Sequence, residues 1–432
     1  MKTNFKLFVC WISLFALSPA LAQVTAEKTV DRVCDKPKSS LYKAEDMNQP
    51  VKMRLITDYA NLNSHQNDDI FRGVAIVEKN KATSLEYLPV LLQKRGNSRK
   101  DYCPAPPLRM QFVDKTIKEK IEKALAAEQV LSTGQNYTKR YLELLNAETI
   151  DAATQVNGPD KGIFSDLGDD VKIVTHCGAA GWEFVGAPDE AGQNLKLLSE
   201  YYLYKMLAQL QMPVESVRLA NITYFNADGT PAYKEDNSEN PKMKLAFFRE
   251  PPNSVAKRCG ILTKLSDDLV ANQNANGDEE PTSSFAADFL NKFAFNNDYA
   301  ALWGHNTNLF YNKKGLRVFG AYDFDLSGIF VKGYFKNLPS IEQNVDALLL
   351  WLKAYDSDTA MPMIYRTLSA RANIQAILNQ AQLPDDRKAE FQKWLDLTMS
   401  RLAQEAAQRT LHPATPGGQN GSVNMDAFDP VL

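Results

Sequence analysis

The sequence predicts an α+β fold in which a β-rich N-terminal part is followed by a helical C-terminal part. Short runs that alternate apolar and polar residues dominate residues 52–95, which is typical of strands. A strong amphipathic helix follows over residues 194–210, and helical spacing of apolar residues prevails after about residue 282. With 44% hydrophobic residues, the 432-residue chain can bury a large core, so we expect two lobes or subdomains.

The first 22 residues have the pattern of a secretory signal peptide. Lys2 and Lys6 precede an apolar run from Leu7 to Leu17, and Ala20-Leu21-Ala22 forms an Ala-x-Ala cleavage site. We therefore expect a mature chain that begins at Gln23 and is exported to the periplasm or the extracellular space. The apolar run is too short to span a membrane, and no later segment approaches the roughly 20 apolar residues that a span requires. We expect no transmembrane segment after cleavage.

The charge of the chain argues against nucleic acid as a partner. Lys and Arg total 49 against 52 Asp and Glu, and loss of Lys2 and Lys6 with the signal peptide changes the net charge from −3 to −5. No basic stripe is present, whereas proteins that bind nucleic acid carry one to neutralise phosphates.

Four cysteines remain after removal of Cys10, an even number in a compartment that favours disulfides. Two disulfides are therefore expected, with three possible connectivities. Buried free thiols are the alternative, and zinc is a weaker one because no two cysteines lie two to four residues apart. The four residues are Cys34, Cys103, Cys177 and Cys259.

The N-terminal part, residues 23–250, is predicted to contain strands with a few helices between them. Gly and Asp are frequent in residues 157–170, which predicts a loop. Alternation and helical periodicity predict strands at 52–57, 86–95, 171–176, 217–225 and 243–248, and helices at 118–127, 138–145 and 194–210.

The C-terminal part, residues 251–412, is predicted to be mainly helical. Thr282-Ser283-Ser284 is a typical N-cap for a helix over 285–295. Residues 309–311 and 317–322 are predicted to form a hairpin around Asn312-Lys313-Lys314-Gly315. Further helices are predicted at 345–354, 360–370 and 384–410, followed by a disordered polar tail, 413–432.

A polar constellation begins at the end of the first of these helices. Asp298 is followed by Asn306 and Asn308, and then by Asp323-Phe324-Asp325. Phosphoryl transfer needs one carboxylate to orient a hydroxyl, and an amide with a second carboxylate to hold Mg²⁺. The hairpin would return the asparagines and the late aspartates to one place. The alternative is that these residues only form turns and caps.

Other short motifs are scattered between residues 52 and 330. They are Lys94 to Arg99, Pro106 to Phe112, Val174 to Cys177, Ser199 to Tyr201 and Leu245 to Glu250. Together with the polar constellation, they resemble an exported bacterial branch of the CotH family of atypical kinases. The resemblance implies a bilobal atypical-kinase-like fold with a β-rich N-lobe and a helical C-lobe. It also implies a bridge between Cys103 and Cys177.

The resemblance assigns roles within the polar constellation. It implies that Asp298 is the catalytic carboxylate and that Asp323 is the main ligand of Mg²⁺ or Mn²⁺, with Asp325 second. Either Asn306 or Asn308 would supply a metal-binding amide.

The resemblance also implies residues that bind ATP. Lys172 and Glu200 would form the ion pair that positions the α and β phosphates. Glu250 would lie near the base, and Arg95 would bind phosphate oxygens. Lys172 and Glu200 are alternatively ordinary solvated charges, and Arg95 is alternatively the partner of a carboxylate of the fold.

These observations lead to an exported CotH-like kinase that binds a Mg nucleotide and transfers phosphate, or a nucleotide-derived group, to a protein hydroxyl. One alternative is a non-catalytic scaffold with a degenerate kinase fold that binds an envelope or surface partner. Another is a metal-assisted hydrolase that cleaves an ester or a glycoside. Convergence of the polar residues in one cleft would favour an enzyme.

Overall fold

The computed structural model describes most of the chain from Val33 to Leu411. The predicted signal peptide, Asp298 and the predicted tail lie outside the described residues. The residues from Cys34 onward belong to one compact unit, and Met1–Val33 belong to a second unit of which only Val33 is described. The described residues are 33–37, 39–42, 48–64, 69–79, 84–95, 105–130, 134–150, 162–165, 170–175, 190–235, 238–264, 283–296, 299, 306–325, 327–329 and 339–411.

Seven strands form a closed sheet in the N-terminal part. The order around the sheet is β1-β2-β3-β4-β5-β7-β6, and β6 closes it against β1. The β1–β6 pair is parallel, and the other neighbours are antiparallel. The strands are β1 Val51–Thr57, β2 Ile70–Lys79, β3 Ser84–Lys94, β4 Leu108–Phe112, β5 Asp170–Val174, β6 Val217–Phe225 and β7 Met243–Arg249.

The interior of the closed sheet is filled by apolar side chains from every strand. Alternation places every second residue inside, so that Leu108, Met110 and Phe112 of β4 are all buried. Leu41 and Tyr42, from the short 3₁₀ helix Ser40–Tyr42, pack into the same core. The first segment of the compact unit thus contributes to the interior of the sheet.

Helices dominate the C-terminal part, as the periodicity predicts. In the described residues, the helices are α1 Tyr59–Ser64, α2 Lys115–Ala127, α3 Gln135–Ala147, α4 Glu190–Leu207, α5 Pro252–Cys259, α6 Ser283–Phe293, α7 Ile341–Lys353, α8 Ser357–Gln380 and α9 Asp385–Leu411. The prediction of a mixed fold, with a sheet first and helices after it, is confirmed.

Helix α4 lies in the same hydrophobic core as the C-terminal helices. Its buried residues include Tyr201 and Tyr204, which pack against Phe247 of β7. The indole N–H of Trp394 in α9 donates to the carbonyl of Phe293, 2.8 Å away, and joins α9 to α6. The sheet and the helices therefore share packing through α4.

A two-stranded hairpin, β8 Thr307–Tyr311 and β9 Arg317–Ala321, carries part of the polar constellation. The N–H of Asn312 donates to the carbonyl of Leu316 over 2.9 Å, and Gly315 has a φ of 84°. Glycine tolerates this left-handed conformation without steric cost. The hairpin predicted from Asn312-Lys313-Lys314-Gly315 is therefore present.

One disulfide joins Cys34 to Cys259. Cys103 and Cys177 lie outside the described residues, so the bridge between them stays a prediction. Once Cys34 is paired with Cys259, these are the two cysteines of the predicted mature chain that remain. Within the described ranges, no helix combines the length and the apolarity needed to cross a membrane.

Candidate functional site

A buried glutamate that the sequence analysis did not select lies at the centre of the candidate site. Only 1% of Glu215 is exposed. Its Oε1 accepts hydrogen bonds from Nζ of Lys172 at 3.0 Å and from Nδ2 of Asn308 at 3.1 Å. Its Oε2 accepts from Nε of Arg249. Glu215 thus connects two predicted site residues, Lys172 and Asn308, with a third side chain.

The register of three adjacent strands explains this convergence. Lys172 of β5 lies opposite Arg249 of β7, and Arg249 lies opposite Val217 of β6. Residues directly opposite across antiparallel strands have Cβ atoms about 5 Å apart. Glu215 lies two residues before Val217, so its carboxylate reaches both cations at the end of the sheet.

The two basic side chains keep Glu215 ionised despite its burial. Burial alone would raise the pKa of its carboxyl group, but the charges of Arg249 and Lys172 outweigh that effect and lower the pKa to about 2. Burial is also the main reason that the pKa of Lys172 is lowered, since the charge of Glu215 opposes it only in part. The ion pair therefore joins a fully buried carboxylate to a partly buried ammonium group.

Arg95 adds a third basic side chain to this cluster. Burial lowers the pKa of its guanidinium, and the positive charge of Arg249 lowers it further. Three neighbours raise the pKa of Arg95 and so oppose this effect: Glu215, Asp323 and Tyr322. The charges of Glu215 and Asp323 thus act on Arg95, whose backbone N–H donates to the carbonyl of Pro107 at 2.9 Å.

Tyr322 presents its ring to the same cations. Nζ of Lys172 lies 5.5 Å from the centroid of this ring, and Cζ of Arg249 lies 5.1 Å from it. Both separations fall within the range of cation–π attraction. Since Tyr322 directly precedes Asp323, the segment that carries the predicted metal ligand borders the basic cluster.

Close packing of the β8–β9 hairpin brings Asn308 to Glu215. Asn308 pairs with Gly320 across the hairpin. A Cβ atom at Gly320 would lie 2.7 Å from the carbonyl oxygen of Pro213 and 2.8 Å from the ring of Phe310. Glycine at this position lets the hairpin approach the Pro213 backbone, two residues before Glu215.

The backbone of Asp323 is held in a left-handed conformation, with φ of 61°. Its N–H donates to the hydroxyl of Tyr204 at 2.7 Å, and its carbonyl accepts from Nδ2 of Asn296 at 3.1 Å. Asn306, with φ of 52°, accepts the N–H of Tyr322 at its carbonyl over 3.1 Å. The structure thus places Asn306 beside the start of the Asp-Phe-Asp segment.

Two more predicted site residues, Asp325 and Glu200, are buried in the structure. Asp325 is buried next to Phe324, and Glu200 is fully buried on α4. We predicted an ion pair between Lys172 and Glu200, but the carboxylate that meets Lys172 in the structure is that of Glu215. The physical reason is the strand register, which brings the segment just before β6, and not α4, to Lys172.

Glu250 binds structural partners. Its carboxylate accepts from Nε of Arg258 at 3.0 Å and from the N–H of Ser216 at 3.0 Å. Its own N–H donates to the carbonyl of Ser216 over 2.8 Å. Burial raises the pKa of Glu250, although Arg258 opposes this. These bonds tie the end of β7 to the segment that carries Glu215.

The residues predicted to bind a metal carry oxygen donors of the kind that a hard divalent cation prefers. Carboxylate and amide oxygens are the ligands that Mg²⁺ prefers, and sites for metal-bound nucleotides use one or two carboxylates plus phosphate oxygens. Among the described residues, no group of three or more His, Cys, Asp or Glu is placed to hold a metal. The residues that would hold one are Asp323, Asp325, Asn306 and Asn308.

Comparisons with known proteins include a distant structural likeness. No protein-family model matches the chain, and no curated protein matches it in sequence. The crystal structure of the Helicobacter pylori proinflammatory kinase CtkA is similar to 56% of this chain and 88% of its own, with 12% sequence identity and a TM-score of 0.30. This likeness is too distant to establish a shared activity.

Sequence reasoning missed Glu215 and Arg249, and the signal for both was weak. Each is a single charge beside an apolar run: Glu215 follows Met212-Pro213-Val214, and Arg249 ends the run Leu245 to Phe248. A charge in such a place favours a buried partner, since an unpaired buried charge is costly. Nothing in the local pattern indicates which partner that is.

Proposed function

We propose that the chain is an exported, CotH-like atypical kinase with a bilobal fold. It binds a nucleoside triphosphate with Mg²⁺ or Mn²⁺ and transfers phosphate to a hydroxyl of a protein acceptor. The observation that carries the proposal is the convergence of Arg95, Lys172 and Arg249 beside Asp323. The signal pattern and the Cys34–Cys259 bond support export, because disulfides persist in oxidising compartments.

The charge of the cluster suits an anionic ligand. Arg95 and Arg249 interact with the carboxylates of Glu215 and Asp323, and Lys172 pairs with Glu215. Among the described residues, the buried Nη2 of Arg249 has no hydrogen-bond partner, so a donor remains for an incoming oxygen. Arginine and lysine donors bind phosphate oxygens by charge-assisted hydrogen bonds.

The residues of this chain would divide the chemistry as follows. Lys172 and Arg95 bind phosphate oxygens, while Asp298 accepts the proton of the acceptor hydroxyl. The hydroxyl oxygen forms a bond to the terminal phosphorus, the bond from that phosphorus to the bridging oxygen breaks, and the nucleoside diphosphate leaves. A divalent metal held by Asp323 supplies charge neutralisation on the phosphates.

A specific observation favours a second candidate, the non-catalytic scaffold. Lys172 and Glu250, two predicted nucleotide-binding residues, already bind internal partners, Glu215 and Arg258. A network of internal pairs at the end of a sheet would stabilise a fold that no longer binds a nucleotide. The scaffold predicts no response to ATP.

Thermal unfolding of residues 23–432 with ATP and Mn²⁺ distinguishes the two candidates. A ligand that binds only the native state raises the melting temperature by mass action. We expect a rise that needs both ATP and Mn²⁺, is lost in Asp323→Ala and is kept in Asp346→Ala, an exposed position on α7. No rise at millimolar ligand would favour the scaffold.

A further inference from the structure

Tyr204 of helix α4 contacts the Asp323-Phe324-Asp325 segment. The ring of Tyr204 meets the ring of Phe324 edge-on, with centroids 5.0 Å apart. The hydroxyl of Tyr204 accepts the backbone N–H of Asp323 at 2.7 Å. On its other side, the ring of Tyr204 lies 5.6 Å from Cζ of Arg249. Tyr204 therefore contacts both the basic cluster and the segment that carries the predicted metal ligand.

The Tyr204 hydroxyl bonds to the backbone of a residue in an unfavourable conformation. Asp323 has a φ of 61°, in the left-handed region that non-glycine residues rarely adopt. Such a residue persists only when its surroundings fix it. Two contacts do so here, from Tyr204 to the N–H and from Asn296 to the carbonyl. Since the side chain leaves the same Cα, fixing this backbone also fixes the direction of the Cα–Cβ bond from which the carboxylate extends.

Burial keeps the Tyr204 hydroxyl in its neutral form. Desolvation raises the pKa of Tyr204 well above its ordinary value. Arg249 opposes this rise, and the nearby carboxylates of Glu215, Glu200 and Asp323 add to it.

We infer that Tyr204 is a positioning residue that aims the Asp323 carboxylate and couples the position of α4 to the metal site. The inference rests on the proposed function, because it assigns Asp323 to a metal. Movement of α4 would shift the Tyr204 hydroxyl, release the Asp323 backbone and lower the affinity for the metal.

The chain supplies a matched control on the same helix. The hydroxyl of Tyr202 also accepts a backbone N–H, that of Gln382, at 2.8 Å, and it donates to Oδ1 of Asn48 at 2.7 Å. Tyr202→Phe and Tyr204→Phe each remove one buried hydroxyl from α4 and keep the ring. The melting temperatures of the two variants show whether their general stability is equally affected.

Two readouts on these variants test the inference. Hydrogen exchange of the segment 322–329, measured without metal, should accelerate in Tyr204→Phe and stay unchanged in Tyr202→Phe. The dissociation constant for Mn²⁺ in the presence of ATP should rise about fivefold in Tyr204→Phe alone, the change that loss of one net hydrogen bond gives.

The outcomes separate the inference from the proposed function. Unchanged exchange of segment 322–329 in Tyr204→Phe would overturn the positioning role. Mn²⁺ binding that is equal in wild type and Tyr204→Phe would overturn it too. Accelerated exchange in a protein that binds no Mn²⁺ with ATP would overturn the proposed function and the metal role of Tyr204 with it.

Discussion

Glu215 allows the partly buried Lys172 and the buried Arg249 to stay charged. Two basic side chains without a counter-ion at the end of the sheet would repel each other, and both would lose hydration. The carboxylate of Glu215 bonds to both of them and to Asn308. Its removal would leave the buried Arg249 and the partly buried Lys172 without this counter-ion.

Glu215→Gln should therefore destabilise the protein by about 3–5 kcal/mol, as expected when one partner of a buried ion pair is lost. Urea unfolding measures this directly. Asp396→Asn is the matched control, because its ion pair with Arg371 is 51% exposed on both sides and should contribute less than about 1 kcal/mol. Equal effects of the two substitutions would contradict the account.

Lys205 on α4 gives a pH-dependent prediction. Only 8% of this residue is exposed, and burial, with a smaller contribution from Arg218, lowers its pKa from 10.5 to about 8. Between those values the unfolded chain binds more protons than the folded one, so stability rises with pH there. Below pH 8 the full cost of burying the charge is present.

Lys205→Met should thus stabilise the protein at pH 7, by at most about 3 kcal/mol, since one pKa unit corresponds to roughly 1.4 kcal/mol. The gain should shrink as the pH rises from 8 to 10.5. The free energy of unfolding of both proteins in urea at pH 7 and pH 10 measures the difference. A gain that is the same at both values would be inconsistent with a buried ammonium.

At the scale of elements, the β8–β9 hairpin reaches the Glu215 segment because Gly320 has no side chain. Gly320→Ala should force the hairpin away from Pro213, since a methyl group there would lie 2.7 Å from a backbone oxygen. We expect a loss of about 1–3 kcal/mol in the free energy of unfolding, typical of overpacking.

Leu309→Ala in the same hairpin is the control, because 43% of Leu309 is exposed. It should change the free energy of unfolding by less than about 0.5 kcal/mol. If Gly320→Ala proved as mild as Leu309→Ala, the close approach of the hairpin to Pro213 would not be what positions Asn308.

Local patterns predicted most of the elements. The strand predicted at 217–225 matches β6 residue for residue, because alternation and a following Asp-Gly turn define it. The helix predicted at 360–370 is part of a longer one, Ser357–Gln380, which starts at its Asp356 N-cap and contains Pro362. Both ends of that helix lie beyond the apolar stripe on which the prediction depended.

The centre of the site could not be predicted in the same way. Lys172 and Glu215 are 43 residues apart, and Glu215 and Arg249 are 34 apart. Their contact depends on which strands are neighbours in the closed sheet, and that is a non-local property. The polar constellation identified Asn308, and the family resemblance identified Lys172 with a partner on α4, whereas the carboxylate that Lys172 meets is that of Glu215.

At the scale of the whole molecule, the Cys34–Cys259 bond ties the start of the compact unit to helix α5. The N–H of Cys34 donates to the carbonyl of Gln211 at 2.7 Å, and the N–H of Asp35 donates to the carbonyl of Arg258 at 3.0 Å. Arg258 in turn binds Glu250 at the end of β7. The bond also packs against the β8–β9 hairpin in one small hydrophobic core.

Loss of this bond should weaken the entire unit. The two cysteines are 225 residues apart, and disulfides that close long loops stabilise by about 2–5 kcal/mol. Cys34→Ala, Cys259→Ala and the double variant should lose similar amounts in urea unfolding, because either substitution breaks the bond. Losses that simply add in the double variant would contradict a shared bond.

The central claim is that the cluster of Arg95, Lys172 and Arg249 beside Asp323 binds a metal nucleotide. Isothermal titration calorimetry with Mg²⁺ and a non-hydrolysable ATP analogue tests it most directly. We predict saturable, metal-dependent binding that weakens at least about tenfold in Lys172→Met, the effect of losing a charge-assisted hydrogen bond. It should be unchanged in Lys353→Met, an exposed position on α7. Absence of binding at millimolar analogue, or equal affinity in Lys172→Met and wild type, would contradict the account.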